Sequence, residues 1–302
     1  MERRKEMSKS TWKSQLTSSL FVLPYLILFI VFLLVPIGYG VYMSLTNWDL
    51  LNPQHEFVGL KNYLNIFDGD SYLNGLFFEG LKNTLQFVVY AVPLLIIVGL
   101  ALALLVNALP GKIRGFFRTV YFIPYAVSVS VVAIIWLWIL DTNSGLINQY
   151  LLKFGMPMIP WLTELPYAWI SLVIATLWWT IGFNMVIFIN ALNDVPEELY
   201  EAGSLDGASR WQRFVHITLP SIRPTMLFVT ITSTIASFNI YGQPFLMTRG
   251  GPGTETKVLL MNIVDEAFEQ RQLGHAAAMS ILMALIMIVI SIVQFKLTNR
   301  KE

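Results

Sequence analysis

Cysteine is absent from all 302 residues. That excludes disulfides, thiolate chemistry and cysteine-ligated metals. Charge is scarce as well. Asp, Glu, Lys and Arg make up 13% of the chain, against roughly a quarter in an average soluble protein, while 55% is hydrophobic. A polytopic membrane protein fits this composition better than a water-soluble enzyme. The net charge of +1 carries no signature of nucleic-acid binding. Catalytic signatures are missing too. The single Gly-Lys pair, Gly111-Lys112, is followed by Ile113, so no G-x-x-x-x-G-K-[ST] loop exists to cradle ATP. There is no H-E-x-x-H, and His55, His216 and His275 are scattered. No catalytic residue and no metal ligand is expected.

What the chain does have is long apolar runs. A helix needs about 20 apolar residues to cross a bilayer core. Six segments qualify: Leu20 to Leu45, Thr84 to Val106, Val120 to Leu140, Tyr167 to Ile189, Met226 to Met247 and Ala276 to Phe295. None contains Asp, Glu, Lys or Arg. A charge at the bilayer centre costs at least ~2.5–3.5 kcal/mol, so this absence supports all six. It also leaves no intramembrane acid or base from which to build a proton or sodium relay. The first run exceeds the length of a signal-peptide core and reads as a retained helix. An all-α integral membrane protein is expected.

Lys and Arg in the connections set the orientation. One side holds Arg3, Arg4, Lys5, Lys9 and Lys13, then Lys112, Arg114 and Arg118, then Arg210, Arg213 and Arg223, then Lys296, Arg300 and Lys301. The other side keeps Lys61, Lys82, Lys153, Arg249, Lys257 and Arg271. The richer side is expected to be cytoplasmic, with both termini there. On the outer side, "NWDLLNPQHEFVGLKNYLNIFDGDSYLNG" is long enough to carry structure of its own. "TRGGPGTETK", Thr248 to Lys257, reads as a Gly/Pro-rich turn. Pro24, Pro36, Pro93, Pro124 and Pro244 lie in or beside apolar runs, where each is expected to kink its helix.

The polar loop at 193–223 stands out. Asp194 with Glu197 reads as a capping box opening a helix through "EELYEAGSL". Gly207 permits a backbone turn that a side chain would resist. Ser209 and Gln212 form a second capping box, opening "RWQRFVHI", which Leu219-Pro220 should end. Such a loop either lies on the bilayer surface or docks an apolar face into another protein. Asp194, Glu197, Glu198, Glu201 and Asp206 outnumber three arginines, which suits an anionic leaflet poorly and favours a protein partner.

The loop also carries a spaced pattern. Glu201-Ala202-Gly203 is followed by Gly207, Ile217 and Leu219-Pro220. It resembles the E-A-A, x3, G, x9, I, x, L-P signature of permease subunits of binding-protein-dependent ABC importers. Gly203 departs from the usual Ala, at roughly 1 kcal/mol of helix propensity, and should loosen the first helix. "FVGLKNYLNIF", "FFRTVYFIPYAVS" and "TRGGPGTET" extend the likeness to the carbohydrate-uptake branch, in particular to the larger permease of maltose-type systems.

The resemblance implies a type I importer permease fold. Residues 1–80 would be the cytoplasmic tail, first span and external loop, and 81–297 a five-span core. It implies a bacterial or archaeal plasma membrane, a second permease completing a heterodimer, a cytoplasmic ABC ATPase dimer that binds ATP and Mg, and an extracytoplasmic solute-binding protein. Glu201, Ala202, Gly203, Leu205, Asp206, Gly207, Phe214, Ile217, Leu219 and Pro220 would couple the chain to the ATPase. Polar residues in spans four and five are the candidate substrate pathway: Asn184, Asn190, Ser233, Ser237, Asn239, Tyr241 and Gln243. Phe238, Trp178 and Trp179 are candidate aromatic neighbours for a sugar. The lack of charge favours a neutral solute. The competing readings are a self-contained channel or secondary carrier, and a membrane scaffold.

Overall fold

A computed structural model describes residues 19–52 and 55–299. The basic residues Arg3, Arg4, Lys5, Lys9, Lys13, Arg300 and Lys301 lie outside the described residues. Apolar runs without charge can satisfy their backbone in lipid only as helices or closed barrels. Helices dominate, and β-structure among the described residues is confined to three isolated bridges: Thr46 with Phe57, Asp49 with Asn52, and Asp49 with Gln272.

Four helices are long and apolar enough to cross a bilayer. They are α1 (Ser19–Ser44), α3 (Tyr72–Asn107), α7 (Tyr167–Asn193) and α12 (Leu273–Asn299). They contain the first, second, fourth and sixth runs, apart from Leu45 just beyond α1. At 36 residues, α3 rises about 54 Å and so projects beyond the membrane. The external stretch does carry structure: α2 (Lys61–Phe67) packs against α3 and α12.

The third and fifth runs are not straight spans. α4 (Gly111–Phe122) continues into a 3₁₀ turn, Ile123–Ala126, and α5 (Val129–Ile139) leaves at 99°. Pro124 sits in the tight turn, and Val127 and Ser128 are extended. With 11 residues, α5 rises only about 16 Å. The fifth run starts early and breaks late. α10 (Arg223–Phe238) ends where Asn239 leaves the helix, and the chain resumes in a π turn at Pro244–Thr248. The Ile235 carbonyl accepts both the Asn239 N–H, at 3.2 Å, and Asn239 Nδ2, at 2.8 Å, where the helix stops.

The prolines behave less disruptively than expected. α1 passes through Pro24 and Pro36, and α3 through Pro93, without interruption. In α1 a π turn, Ile30–Leu34, precedes Pro36, and Val35 N–H reaches back to the Ile30 carbonyl. The wider turn makes room for a ring that lacks a donor.

The packing centres on α3 and α7. Phe87, Ala91 and Leu95 of α3 meet Trp169, Leu172 and Val173 of α7 in one buried cluster. Further in, Ala103 and Val106 join Met185, Phe188, Ile189 and Val229. α11 (Leu259–Phe268) and α12 close the other side against α3. In a bilayer such contacts are held by close packing and interhelical hydrogen bonds, because lipid tails are as apolar as the helices.

Candidate functional site

Two features stand apart from the packed body: a cavity between helices, with polar side chains set in a largely apolar wall, and a braced loop at one end. The cavity encloses about 490 Å³. Thr176, Thr180 and Asn184 of α7 line one wall, and Thr232, Ser233 and Ser237 of α10 another. The broken segment contributes Asn239, Tyr241 and Gln243, and the bend before α5 contributes Tyr125 and Val129. Both irregular stretches of backbone therefore face the cavity. Irregular backbone at membrane depth is tolerated where it lines such a space.

Hydrogen bonds fix the wall. Asn184 Nδ2 donates to Ser233 Oγ at 3.3 Å, joining α7 to α10. Gln243 Nε2 donates to Thr176 Oγ1 at 3.3 Å, joining the broken segment to α7. Trp179 Nε1 donates to the Val127 carbonyl at 2.9 Å, which satisfies a backbone group freed by the bend. Tyr125 stacks on Phe183, ring centroids 4.9 Å apart, and Tyr241 stacks on Phe245 at 5.1 Å.

The lining has a chemical polarity. Thr176, Thr180 and Thr232 each donate their hydroxyl proton to the carbonyl four residues back, at 2.8 Å. What they can still offer is lone pairs. The Asn184 and Gln243 amide nitrogens each spend one of two N–H donors across the helices. No Asp, Glu, Lys, Arg or His is in the lining. An uncharged wall that offers both acceptors and donors beside aromatic faces suits a neutral solute bearing hydroxyls.

Of the candidate pathway residues, the structure brings six to this cavity: Asn184, Ser233, Ser237, Asn239, Tyr241 and Gln243, with Trp179 beside them. Asn190 is outside the lining. Phe238 is fully buried in the opposite cluster with Leu259 and Met279. It points there because the helix face that carries Ser233 and Ser237 inward turns position 238 away. Trp178 is 40% exposed and packs edge-on to Trp136, one position round α7 from Trp179. Tyr125, Thr176, Thr180 and Phe183 were not singled out from the sequence. Thr176, Thr180 and Phe183 share a helix face with Asn184, a spacing that could have found them.

The loop consists of α8 (Glu197–Leu205) and α9 (Arg210–Ser221). Asp194 does not cap α8; it terminates α7, and Pro196 stands at the start of α8 with no side-chain cap. A proline there needs no donor, and the first turn carries Glu197 and Glu198 at the positive dipole end. Gly207 has φ +78°, the left-handed region that a glycine adopts without strain. The second capping box is present in both halves: Gln212 N–H donates to Ser209 Oγ, and Ser209 N–H to Gln212 Oε1.

Leu219-Pro220 does not end α9. A π turn, Phe214–Thr218, lets Leu219 N–H reach the Phe214 carbonyl, and the helix runs on to Ser221. It then joins α10 at 66°. The two halves of the loop are braced on each other. Arg213 Nη1 donates to Ser204 Oγ at 2.9 Å, and Tyr200 and Thr218 share a hydroxyl hydrogen bond at 3.0 Å.

Gly203 lies on that braced face. A Cβ there would come within 2.9 Å of Ile217 Cδ1. α8 is continuous through Gly203, so this glycine sets how closely Ile217 seats and does not break the helix. Outward, Leu205 is 90% and Trp211 71% exposed. Glu201, Ala202, Asp206 and Gly207 are exposed as well, whereas Phe214, Ile217 and Leu219 are only partly so.

A body of apolar helices, a cavity with polar side chains between them and a braced polar loop continuous with the cavity wall are the parts of a solute permease. The chain belongs to the family described as binding-protein-dependent transport system inner membrane component, which matches residues 95–301. That segment holds the loop and all of the cavity lining except Phe87. It is 33% identical over 289 residues to the probable ABC transporter permease protein YurN of Bacillus subtilis (strain 168), covering 94% of this chain and 97% of that one. It is also 33% identical to AmyD, a probable starch degradation products transport system permease protein of Thermoanaerobacterium thermosulfurigenes, covering 94% of each. The fold matches a chain in the crystal structure of a bacterial alginate ABC transporter in complex with an alginate pentasaccharide-bound periplasmic protein. That match has a TM-score of 0.82 at 22% identity, over 97% of this chain and 96% of that one. The chain is thus a permease component of an ABC importer.

Proposed function

We propose that this permease passes a neutral sugar or oligosaccharide into the cytoplasm of a bacterium or archaeon, driven by ATP hydrolysed on a partner. Counting each bent helix pair as one span gives six crossings, and the excess of Lys and Arg in alternate connections favours both termini in the cytoplasm. Residues 81–297 act as the transport core, with the preceding 80 as tail, first span and external loop. A second permease completes the pathway as a heterodimer. A cytoplasmic ATPase dimer binds ATP and Mg, and an extracytoplasmic solute-binding protein delivers the cargo.

One observation carries the coupling. Leu205, 90% exposed, tips a unit whose two helices are braced together and run directly into the cavity wall at α10. An exposed leucine on a stiff support fits a protein cleft. Its cysteine variant, and that of Ala202, are expected to crosslink to an ATPase subunit in membranes. Products with lipid alone, read on gels of the assembled complex, would reassign the loop to the bilayer surface.

The uncharged lining supports the neutral cargo, and AmyD, named for starch degradation products, points to the same class. Replacing Gln243 with leucine removes its tie to Thr176 and puts an apolar group in the wall. Uptake of the cargo is expected to fall by about five- to a hundredfold, since one lost buried polar contact is worth ~1–3 kcal/mol. Basal ATP hydrolysis should persist. Unchanged uptake in reconstituted vesicles would move the pathway elsewhere.

A further inference from the structure

A second hollow lies between α3 and α7 and shares no lining residue with the cavity described above. It encloses about 560 Å³. Trp169 and Val173, 3% and 6% exposed, form its floor. Val89, Tyr90 and Leu94 of α3 and Ile170 and Ile174 of α7 stand beside them, each between 41% and 65% exposed. The hollow is therefore an open groove with a sealed bottom, cut into the flank of two membrane-crossing helices.

One end of the groove is polar. Gln86 Nε2 donates to the Tyr90 hydroxyl at 3.0 Å, which leaves the Tyr90 proton available to an outside acceptor. Tyr90 stands edge-on to Trp169, ring centroids 6.3 Å apart. Trp169 belongs to the first turn of α7, so this pair marks the helix's N-terminal end. Tyrosine and tryptophan gather at the headgroup level of a membrane, where an apolar ring and a polar tip are both satisfied.

The rest of the groove is apolar, with Pro93 and Leu94 on one side and Val173, Ile174 and Leu177 on the other. Its lining contains no Asp, Glu, Lys, Arg or His. Its length is informative too. From Pro166 to Leu177, the first and last lining residues on this side of α7, a helix rises about 16 Å. A bilayer's hydrocarbon core is about 30 Å thick, so the groove has the depth of one leaflet.

We propose that this groove binds a phospholipid of the leaflet at the N-terminal end of α7. One acyl chain lies along Val173, Ile174 and Leu177, and an ester carbonyl accepts from Tyr90. A polar mouth at headgroup level above one leaflet of apolar depth repeats the polarity of that molecule. A helix of another protein would need an apolar seam continuing past the bilayer midplane, and this groove stops at Leu177. With no charge in the wall, selection falls on the chain and its esters and not on the headgroup. α7 also carries Thr176, Thr180 and Asn184 into the cavity, so the bound chain packs a second face of the same wall.

The test uses the full-length protein in phosphatidylcholine vesicles doped with a phosphatidylcholine that carries a diazirine on one acyl chain. After illumination, peptides covering residues 86–94 and 165–177 should be labelled at least about fivefold more than residues 20–34 of α1, which are exposed throughout and sample bulk lipid. Ile174→Trp lays an indole across the groove and should cut its labelling at least about fivefold, with residues 20–34 unchanged. Tyr90→Phe keeps the ring, loses the donor and should cut labelling about two- to tenfold. Ile97→Trp, on an exposed part of α3 outside the lining, should label like wild type. In delipidated protein, added phosphatidylcholine should raise the melting temperature by about 2–4 °C, and Ile174→Trp should lose most of that rise. Wild-type labelling of the groove no denser than that of residues 20–34 overturns the proposal, as does undiminished labelling in Ile174→Trp. Should that variant fail to fold, the wild-type and Tyr90→Phe measurements decide. A Val89→Cys variant that crosslinks to another polypeptide would make the groove a protein contact and overturn the proposal as well.

Discussion

Valine in place of Gly207 is expected to leave the protein inserted and the ATPase active while cargo uptake drops at least about tenfold. The glycine has φ +78°, and a Cβ built on it meets nothing within 4 Å. Crowding is therefore not the obstacle. The cost is local: a β-branched residue in left-handed backbone loses about 1–2 kcal/mol or relaxes to another φ. Relaxation would swing α8 against α9 and load the contacts between them, Tyr200 with Thr218 and Arg213 with Ser204. Asparagine tolerates this conformation and should retain most coupling. The measurement is the ratio of cargo imported to ATP hydrolysed in vesicles. A ratio unchanged in the valine variant would show that the turn does not set the angle of α8.

Valine at Gly182 should have a larger effect, on the protein itself. A Cβ at this position of α7 collides with the Tyr121 carbonyl and presses on the Phe122 Cα, both backbone atoms of the last turn of α4. Backbone cannot step aside as a side-chain tip can, so the helices must part. Overpacking of this kind costs about 1–3 kcal/mol and more where backbone must move. Separation would also strain the Trp179 hydrogen bond to Val127 and the Tyr125–Phe183 stack. Full-length protein in detergent extracts should fall severalfold, with a lower melting temperature in what remains. Wild-type yield and melting would mean that α4 and α7 do not approach as described.

The sequence was most legible where one physical rule dominates. Charge-free apolar runs mark α1, α3, α7 and α12, because lipid penalises any alternative. The turn at Gly207 and the capping box at Ser209 follow from local backbone chemistry, and both are present. Hydropathy failed where the chain bends inside an apolar run. A 99° turn at Pro124–Ser128 and the break at Asn239 leave composition unchanged, so an averaged window sees one span. Proline was a poor guide for the same reason. Pro93 runs through α3 unbroken, while Pro124 sits in a sharp bend, and neighbours decide between the outcomes. The cavity was partly readable. Polar residues in the "SFNIYGQ" stretch mark one wall. Phe238 in its midst faces the opposite core, which requires knowing where the helix ends. The reason for Gly203 was not visible at all, since its contact with Ile217 joins two helices.

The join of α9 to α10 also sets a mechanical scale. α10 has 16 residues, so it rises about 24 Å from its bend at Ile222 to the break at Asn239. Turning such an arm by about 10° at its foot would carry its far end about 4 Å, more than the radius of a water molecule. Ser237, near that far end, and Ser233, one turn below it, belong to the cavity wall. A turn of the loop that carried α10 with it would therefore move those side chains by about the reach of a hydrogen bond, with no relay of intermediate parts.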